Sequence, residues 1–177
     1  MTASTELEQK LGALRDAFDL SFAAPAGVGH AAYVDFLTIR VAGDPYALRL
    51  SEVASVHADR KLVTAPSLLS ELVGIAGFRG VLTPVYDLGA VLGYPAQPSS
   101  KWLVLTQHSS PIGFAFEVFD AHLRVAPDRV SATEPSANTA ARGAVHSGQI
   151  TLPLLHLPSL VEGIAQRIKA HGPSQER

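Results

Sequence analysis

An arginine framed by glycines is the residue of this chain best suited to recognition. Arg79 lies in the segment Gly77-Phe-Arg-Gly80, and a short apolar strand with Pro84 follows it. Because glycine permits backbone conformations that a Cβ resists, Gly77 and Gly80 predict a sharp bend with the Arg79 head in water. Its planar guanidinium suits a carboxylate or backbone carbonyls on a partner; the alternative is a solvated corner or a local ion pair. The segment has no nucleophile, acid/base pair or Gly-Lys-Ser phosphate loop, so it indicates binding.

Other residues with reactive side chains are scattered. The seven histidines stand at positions 30, 57, 108, 122, 146, 156 and 171. Their spacing does not place two on one helical or strand face with a third nearby, so we predict no metal site. Glu117 and Asp120 lie near a strand end, but neither a nucleophile nor an oxyanion donor accompanies them. We therefore predict that the protein is not an enzyme and takes no cofactor.

Composition restricts the class of protein further. The 177 residues are 47% apolar and 17% charged, which suits one domain or two small ones packed together. A net charge of −2 indicates no nucleic-acid partner. No stretch reaches the roughly 18 apolar residues of a membrane helix, and residues 1–30 do not resemble a signal peptide. The absence of cysteine excludes disulfides. We expect a cytoplasmic protein without direct membrane insertion, and a monomer in isolation.

Residues 1–30 are predicted to form an N-terminal helix and a linker. The helix covers residues 5–19, and Thr5 with Glu8 forms a capping box. An apolar stripe repeats along it at the helical period: Leu7, Leu11, Leu14 and Phe18. The stripe either packs on the body or docks a partner. Packing on the body is favoured because amphipathic helices usually cover their own core.

Short strands dominate the rest of the chain. β-Branched and aromatic residues alternate between turn signals over residues 33–41, 46–50, 102–106, 112–116 and 122–125. Residues 51–56 fit either a helical turn or the opening of a strand. Pro158 is predicted to open a last helix, with Leu160, Val161, Ile164 and Ile168 on one face. This pattern predicts an all-β fold of small barrels.

The segment around Arg79 has a second copy. Shifted by 69 residues, it matches itself at three identical pairs: Gly74 with Gly143, Pro84 with Pro153, and Leu88 with Leu157. Proline is tolerated in strands mainly at edges or bulges, so the repeat predicts two similar barrels, each closed by an edge strand that contains proline. The alternative is two unrelated hairpins in one domain. After the first copy, Asp87 is predicted to cap the turn over residues 88–92.

Two segments resemble the CheW family of chemotaxis coupling proteins. Residues 36–50 are similar to the family's opening strand, Gly-Asp turn and Tyr-Ala hairpin, which lead to Val53-Ala-Ser-Val56. Residues 73–88, Val-Gly-Ile-Ala-Gly-Phe-Arg-Gly-Val-Leu-Thr-Pro-Val-Tyr-Asp-Leu, resemble its signature, although Gly77 replaces the usual Asn. His156 and Pro158 stand where the closing motif usually has a pattern such as Asp-Leu-Asp. The resemblance extends over residues 33–168.

The resemblance implies a fold and its division. It implies an all-β, CheW-like domain over residues 31–170, made of two SH3-like five-stranded β-barrel subdomains with the N-terminal helix and a short C-terminal helix. We expect the barrels to come roughly from residues 33–92 and 100–157, with a polar tail over residues 171–177.

The resemblance also implies a function. It implies a non-catalytic scaffold that couples the cytoplasmic tips of methyl-accepting chemoreceptors to a CheA-type histidine kinase, in a chemotaxis or motility signalling array. Val53, Val56, Arg79 and Gly80 match the family's partner-binding positions. The alternative is a small-molecule sensor or a hydrolytic enzyme, with Arg79 or the histidines lining a cleft between the barrels.

Overall fold

The computed structural model describes residues 33–95, 101–108, 110–132 and 140–171. The predicted helix over residues 5–19 lies outside them. The strands are β1 (Val34–Val41), β2 (Asp44–Arg49), β3 (Val53–Ala58), β4 (Leu72–Phe78), β5 (Val81–Asp87), β6 (Trp102–Thr106), β7 (Gly113–Phe116), β8 (Val118–Val125), β9 (Val130–Ser131), β10 (Ala141–Ser147) and β11 (Ile150–Leu155). The α-helices are α1 (Leu88–Leu92) and α2 (Leu157–His171), and 3₁₀ turns occupy Leu50–Glu52 and Pro127–Arg129. Residues 51–56 therefore contain both predicted alternatives, the end of a helical turn and then a strand.

The strands form two sheets. One has six strands in the order β8-β1-β2-β11-β10-β9, and the other has five in the order β3-β6-β7-β5-β4. The five-stranded sheet curls on itself, because the ring of His57 in β3 lies 4.8 Å from the ring of Phe78 in β4, at the opposite end of the strand order. The predicted all-β fold with two small barrels and a C-terminal helix is confirmed; the two-residue β9 gives one sheet a sixth strand.

The barrels do not divide the chain between residues 92 and 100 as predicted. In the six-stranded sheet, β1 pairs with β8 and β2 pairs with β11, so two N-terminal strands join the C-terminal half. In the five-stranded sheet, β6 pairs with β3 and β7 pairs with β5, so two later strands join the N-terminal half. The reason is that β1 is apolar on both faces, with Phe36 and Leu37 both buried. Such a strand is stable between two neighbours, which β2 and β8 supply.

Alternating side chains build three apolar clusters. Phe36, Val145 and Leu154 belong to the cluster on one face of the six-stranded sheet, and Val85 and Leu103 belong to the cluster on one face of the five-stranded sheet. The opposite faces of both sheets contribute to a third and larger cluster, which α2 also joins. Because successive residues of a strand point to opposite faces, a strand such as β7 can contribute to two clusters and is buried throughout. The third cluster is called the shared core below.

The internal repeat is confirmed. The pairs β4–β5 and β10–β11 are antiparallel hairpins, and each first strand has an irregular register at its glycine, Gly74 or Gly143. A Cβ at Gly74 would lie 2.5 Å from the carbonyl oxygen of Val63, and a Cβ at Gly143 would overlap the carbonyl oxygen of Ser131. Glycine is therefore needed at both positions because another backbone segment crosses closely there.

The prolines of the repeat do not lie in edge strands, which corrects the prediction. Strand β5 lies between β7 and β4, and β11 lies between β2 and β10. The amide and carbonyl of Ile75, the cross-strand neighbour of Pro84, bond to Val63 on the other side. The nitrogen of Pro84 therefore faces β7, whose parallel pairing with β5 begins only at Val85. Proline is tolerated because it stands one residue before the ladder starts.

Candidate functional site

Arg79 and Gly80 form a two-residue turn between β4 and β5. Their φ angles are +51° and +84°, and the flanking residues Phe78 and Val81 pair directly. Positive φ at both central residues defines a type I′ turn, whose twist matches that of the strands. A left-handed conformation costs a residue with a Cβ about 1–2 kcal/mol, and the exposed Arg79 side chain gains no buried contact. The predicted corner is confirmed, and backbone strain at an exposed residue is an observation from which a functional role can be proposed.

Gly77 has a different position from the predicted one. It lies inside β4, opposite Leu82, and is not part of the bend. Its carbonyl oxygen accepts a hydrogen bond of 3.0 Å from Nη2 of Arg60. A Cβ at this position would meet no atom within 4 Å, so glycine leaves the exposed side of β4 open beside the turn.

A second arginine lies beside the turn. The guanidinium carbon of Arg60 lies 5.1 Å from the centre of the Phe78 ring, immediately before Arg79. The His57 ring packs against the same Phe78 ring. Partial burial lowers the pKa of His57, and the charges of Arg60 and Arg79 lower it further. Both arginines are therefore close enough to this imidazole to act on its charge.

Val53 and Val56 are set apart from the exposed turn. Val53 is 9% exposed and packs in the shared core, and Val56 is half-buried against it. The expectation that Val53 offers its side chain to a partner is corrected: it opens β3 with the side chain inward. Gly80 is exposed. The structure thus brings Arg79 and Gly80 together on an open surface, and it does not add Val53 to that surface.

Apolar side chains next to the turn were not singled out from the sequence. Val81 and Leu82 follow the turn directly, and Leu82 is 77% exposed. Val63, 66% exposed, bridges to Ile75, whose other neighbour is Pro84. Directly opposed residues share a sheet face, so Val63, Ile75 and Pro84 form one apolar row. The sequence did carry a signal for this apolar surface, the pair Val81-Leu82 directly after Arg79-Gly80. From the sequence alone, that pair is interpreted only as part of a strand.

A cavity lies elsewhere, beside the helices. It measures about 750 Å³ and is lined by α1, α2 and the start of β10. At its edge, the hydroxyl of Tyr94 lies 2.7 Å from that of Tyr46 and donates a 2.6 Å hydrogen bond to Oδ2 of Asp44. These bonds, that to Asp44 first, raise the pKa of Tyr94. Neither Arg79 nor a histidine is among the lining residues, so the alternative of a sensor or hydrolase built on them gains no support.

The described residues contain neither a candidate metal site nor a candidate membrane-spanning helix. Among them, no three histidine, aspartate or glutamate side chains come close enough to share a metal ion. Within the same ranges, no helix has the length and apolar character required to cross a bilayer.

Comparisons with known proteins agree with this geometry. A family model described as CheW-like domain matches residues 35–165. A search of curated proteins gives no match. Among solved structures, the scaffolding protein TtCheW from Thermoanaerobacter tengcongensis superposes with a TM-score of 0.65 at 18% identity, over 73% of this chain and 92% of TtCheW. At this identity the superposition shows a shared fold. Because the family model covers most of the chain, including the Arg-Gly turn and both barrels, the protein belongs to the CheW-like family.

Proposed function

We propose that this protein is a non-catalytic adaptor that couples the cytoplasmic tips of methyl-accepting chemoreceptors to a CheA-type histidine kinase. The observation that carries the proposal is the match of residues 35–165 to the CheW-like domain. The likeness in fold to a protein described as a scaffolding protein supports a scaffold role. An adaptor of this kind works in the cytoplasm, where receptor tips and kinase meet.

Arg79 and Gly80 are the proposed centre of partner contact. Arg79 is exposed, held at positive φ, and forms no ion pair with another described residue. Arginine is enriched at interfaces because its planar fork binds carboxylates and carbonyls with defined geometry. Val56 is proposed as an apolar contact at the edge of the sheet, where β3 pairs on one side only with β6. Val53 supports β3 from within the core.

The first prediction tests the turn. Arg79→Ala keeps a Cβ at the same φ, so the backbone strain is unchanged and only the guanidinium is lost. We expect assembly with kinase and receptor fragments to weaken at least about fivefold, as for truncation of an interface anchor. The melting temperature should stay constant, because exposed substitutions seldom change stability. The measurement is a pull-down of both fragments together with a thermal melt of each variant.

Arg129→Ala is the matched control. Arg129 is an exposed arginine in the 3₁₀ turn between β8 and β9 of the six-stranded sheet, so its truncation removes the same group from a different surface. If the Arg79→Ala and Arg129→Ala variants bind the kinase and receptor fragments equally well, Arg79 does not contact a partner and is a solvated corner residue. Failure of the wild-type protein to bind either fragment would reject the adaptor role itself.

A further inference from the structure

Arg60 is an exposed cation whose position is fixed. One of its N–H groups donates to the carbonyl of Gly77, and its guanidinium lies over Phe78. Most exposed arginines sample many rotamers and lose that freedom when they bind. Arg60 is held before a partner arrives, so it loses less entropy on binding. Within the described ranges the guanidinium donates one hydrogen bond, to Gly77, and its further N–H donors can meet a ligand.

The charges of Arg60 and Arg79 are not compensated by the described residues. Several arginines elsewhere pair with carboxylates: Arg40 with Asp120, Arg49 with Glu52, Arg124 with Asp35, and Arg167 with Glu71. Arg60 and Arg79 form no such pair within the described part of the chain. Two neighbouring uncompensated cations produce a positive potential at the surface and attract anions.

Further charges at this end of the barrel are mainly positive. Lys61 follows Arg60, and the carbonyl of Lys101 accepts a 2.8 Å hydrogen bond from the amide of Asp59. Asp59 brings a carboxylate to the same turn, so the patch is not purely basic. His57 has a lowered pKa and is therefore neutral at pH 7. The positive charge at neutral pH comes from the arginines and lysines.

We propose that Arg60, which lies over the Phe78 ring, and Arg79, which follows Phe78 in the turn, form a docking surface for an acidic segment of the partner kinase, with guanidinium N–H groups of both bonded to its carboxylates. This inference rests on the proposed function and specifies the chemistry of the partner. Exposed Val81 and Leu82 adjoin Arg79, and arginine beside apolar side chains is typical of protein interfaces. The net charge of −2 disfavours a nucleic acid, which needs a wide basic stripe.

The test uses the full chain and the CheA-type kinase from the same organism, with calorimetry at several salt concentrations. Arg60→Glu should weaken kinase binding about tenfold or more, because it places a like charge against the acidic segment. Arg60→Gln should weaken binding less and should reduce its salt dependence, because one charge pair is lost. Arg129→Glu, a charge reversal on the other sheet, is the matched control and should bind like the wild type. A thermal melt of each variant verifies that it is folded.

The outcomes separate this inference from the proposed function. If the wild type binds the kinase and Arg60→Glu binds as tightly as Arg129→Glu, the docking surface is wrong and the adaptor role stands. If the wild type does not bind the kinase, both are overturned. Co-sedimentation with phosphatidylglycerol vesicles that Arg60→Glu abolishes, with kinase binding intact, would assign the patch to a membrane surface and overturn the proposal.

Discussion

At the scale of single residues, Arg79, in a turn of the five-stranded sheet, and Val53, at the start of its strand β3, have opposite environments. Arg79 points into solvent from a strained turn, whereas Val53 packs in the shared core. Substitutions at these positions should therefore act on different quantities, binding for Arg79 and the free energy of unfolding for Val53.

Val53→Asp is predicted to unfold the protein or to lower its free energy of unfolding by more than about 3 kcal/mol. The reason is that an unpaired carboxylate would replace an isopropyl group in an apolar core. Val118→Asp is the control, because Val118 also opens a strand but is 41% exposed. Urea denaturation followed by circular dichroism measures both. A stable, folded Val53→Asp variant with impaired partner binding would mean that the side chain faces a partner.

His156 shows how the second copy of the repeat replaces a residue and retains its role. Oδ1 of Asp87 accepts a 2.8 Å hydrogen bond from the amide of Ala90 and thereby caps α1, as predicted. The position 69 residues later is His156, whose Nδ1 accepts a 3.2 Å hydrogen bond from the amide of Ser159 at the start of α2. An unprotonated ring nitrogen is an acceptor like a carboxylate oxygen. The helix start is therefore still capped, although His156 stands where the first copy of the repeat has Asp87.

At the scale of elements, the two glycine bulges are the least replaceable positions of the hairpins. Gly143→Ala is predicted to lower the free energy of unfolding by about 1–3 kcal/mol, because its φ is +142° and the added methyl would overlap the carbonyl of Ser131. Gly163→Ala is the control: it lies inside α2 with nothing within 4 Å of an added Cβ, and alanine should stabilise the helix by about 0.5–1 kcal/mol. Denaturant titrations measure the free energy of unfolding of both variants. An unchanged value for Gly143→Ala would show that β9 can move away from the added methyl group.

Local sequence patterns predicted the positions of the strands better than they predicted which strands pair. Alternation and turn residues located β1, β2, β6, β7 and β8 within a few residues, and the signature located the Arg79 turn. Which strands pair was predicted less well, because β1 reaches β8 across some eighty residues and many registers would satisfy the same alternation.

Long-range polar contacts were equally hidden in the sequence. Oε2 of Glu52 accepts a 2.9 Å hydrogen bond from the amide of Leu157. This bond connects the turn before β3 to the start of α2. The two residues are 105 positions apart, and nothing in either local segment specifies the other. Arg60 was missed for the same reason, because its contacts with Gly77 and Phe78 depend on the curl of the sheet that brings β3 to β4.

At the scale of the whole molecule, the shared core makes the two barrels depend on each other. It contains Leu37 and Leu48 from the six-stranded sheet, Val104 and Phe114 from the five-stranded sheet, and Ile164 from α2. Trp102 in β6 also contacts Phe119 in β8, with ring centres 5.4 Å apart. A barrel that unfolded alone would expose its side of this core, so we expect both barrels to unfold together.

Ile164→Ala tests this dependence. Ile164 is 1% exposed, and its truncation leaves a cavity in the shared core, so we expect a loss of about 2–5 kcal/mol in the free energy of unfolding. Ile168→Ala is the control on the same helix face, and because Ile168 is 48% exposed the loss should be below about 1 kcal/mol.

Fluorescence of Trp102, the single tryptophan, reports on the contact between barrels, and circular dichroism reports on all strands. The two transitions should coincide in the wild type and move together in Ile164→Ala. A fluorescence change that precedes the loss of strand signal would mean that the barrels separate before they unfold, and the shared core would then be a docking contact between independently stable units.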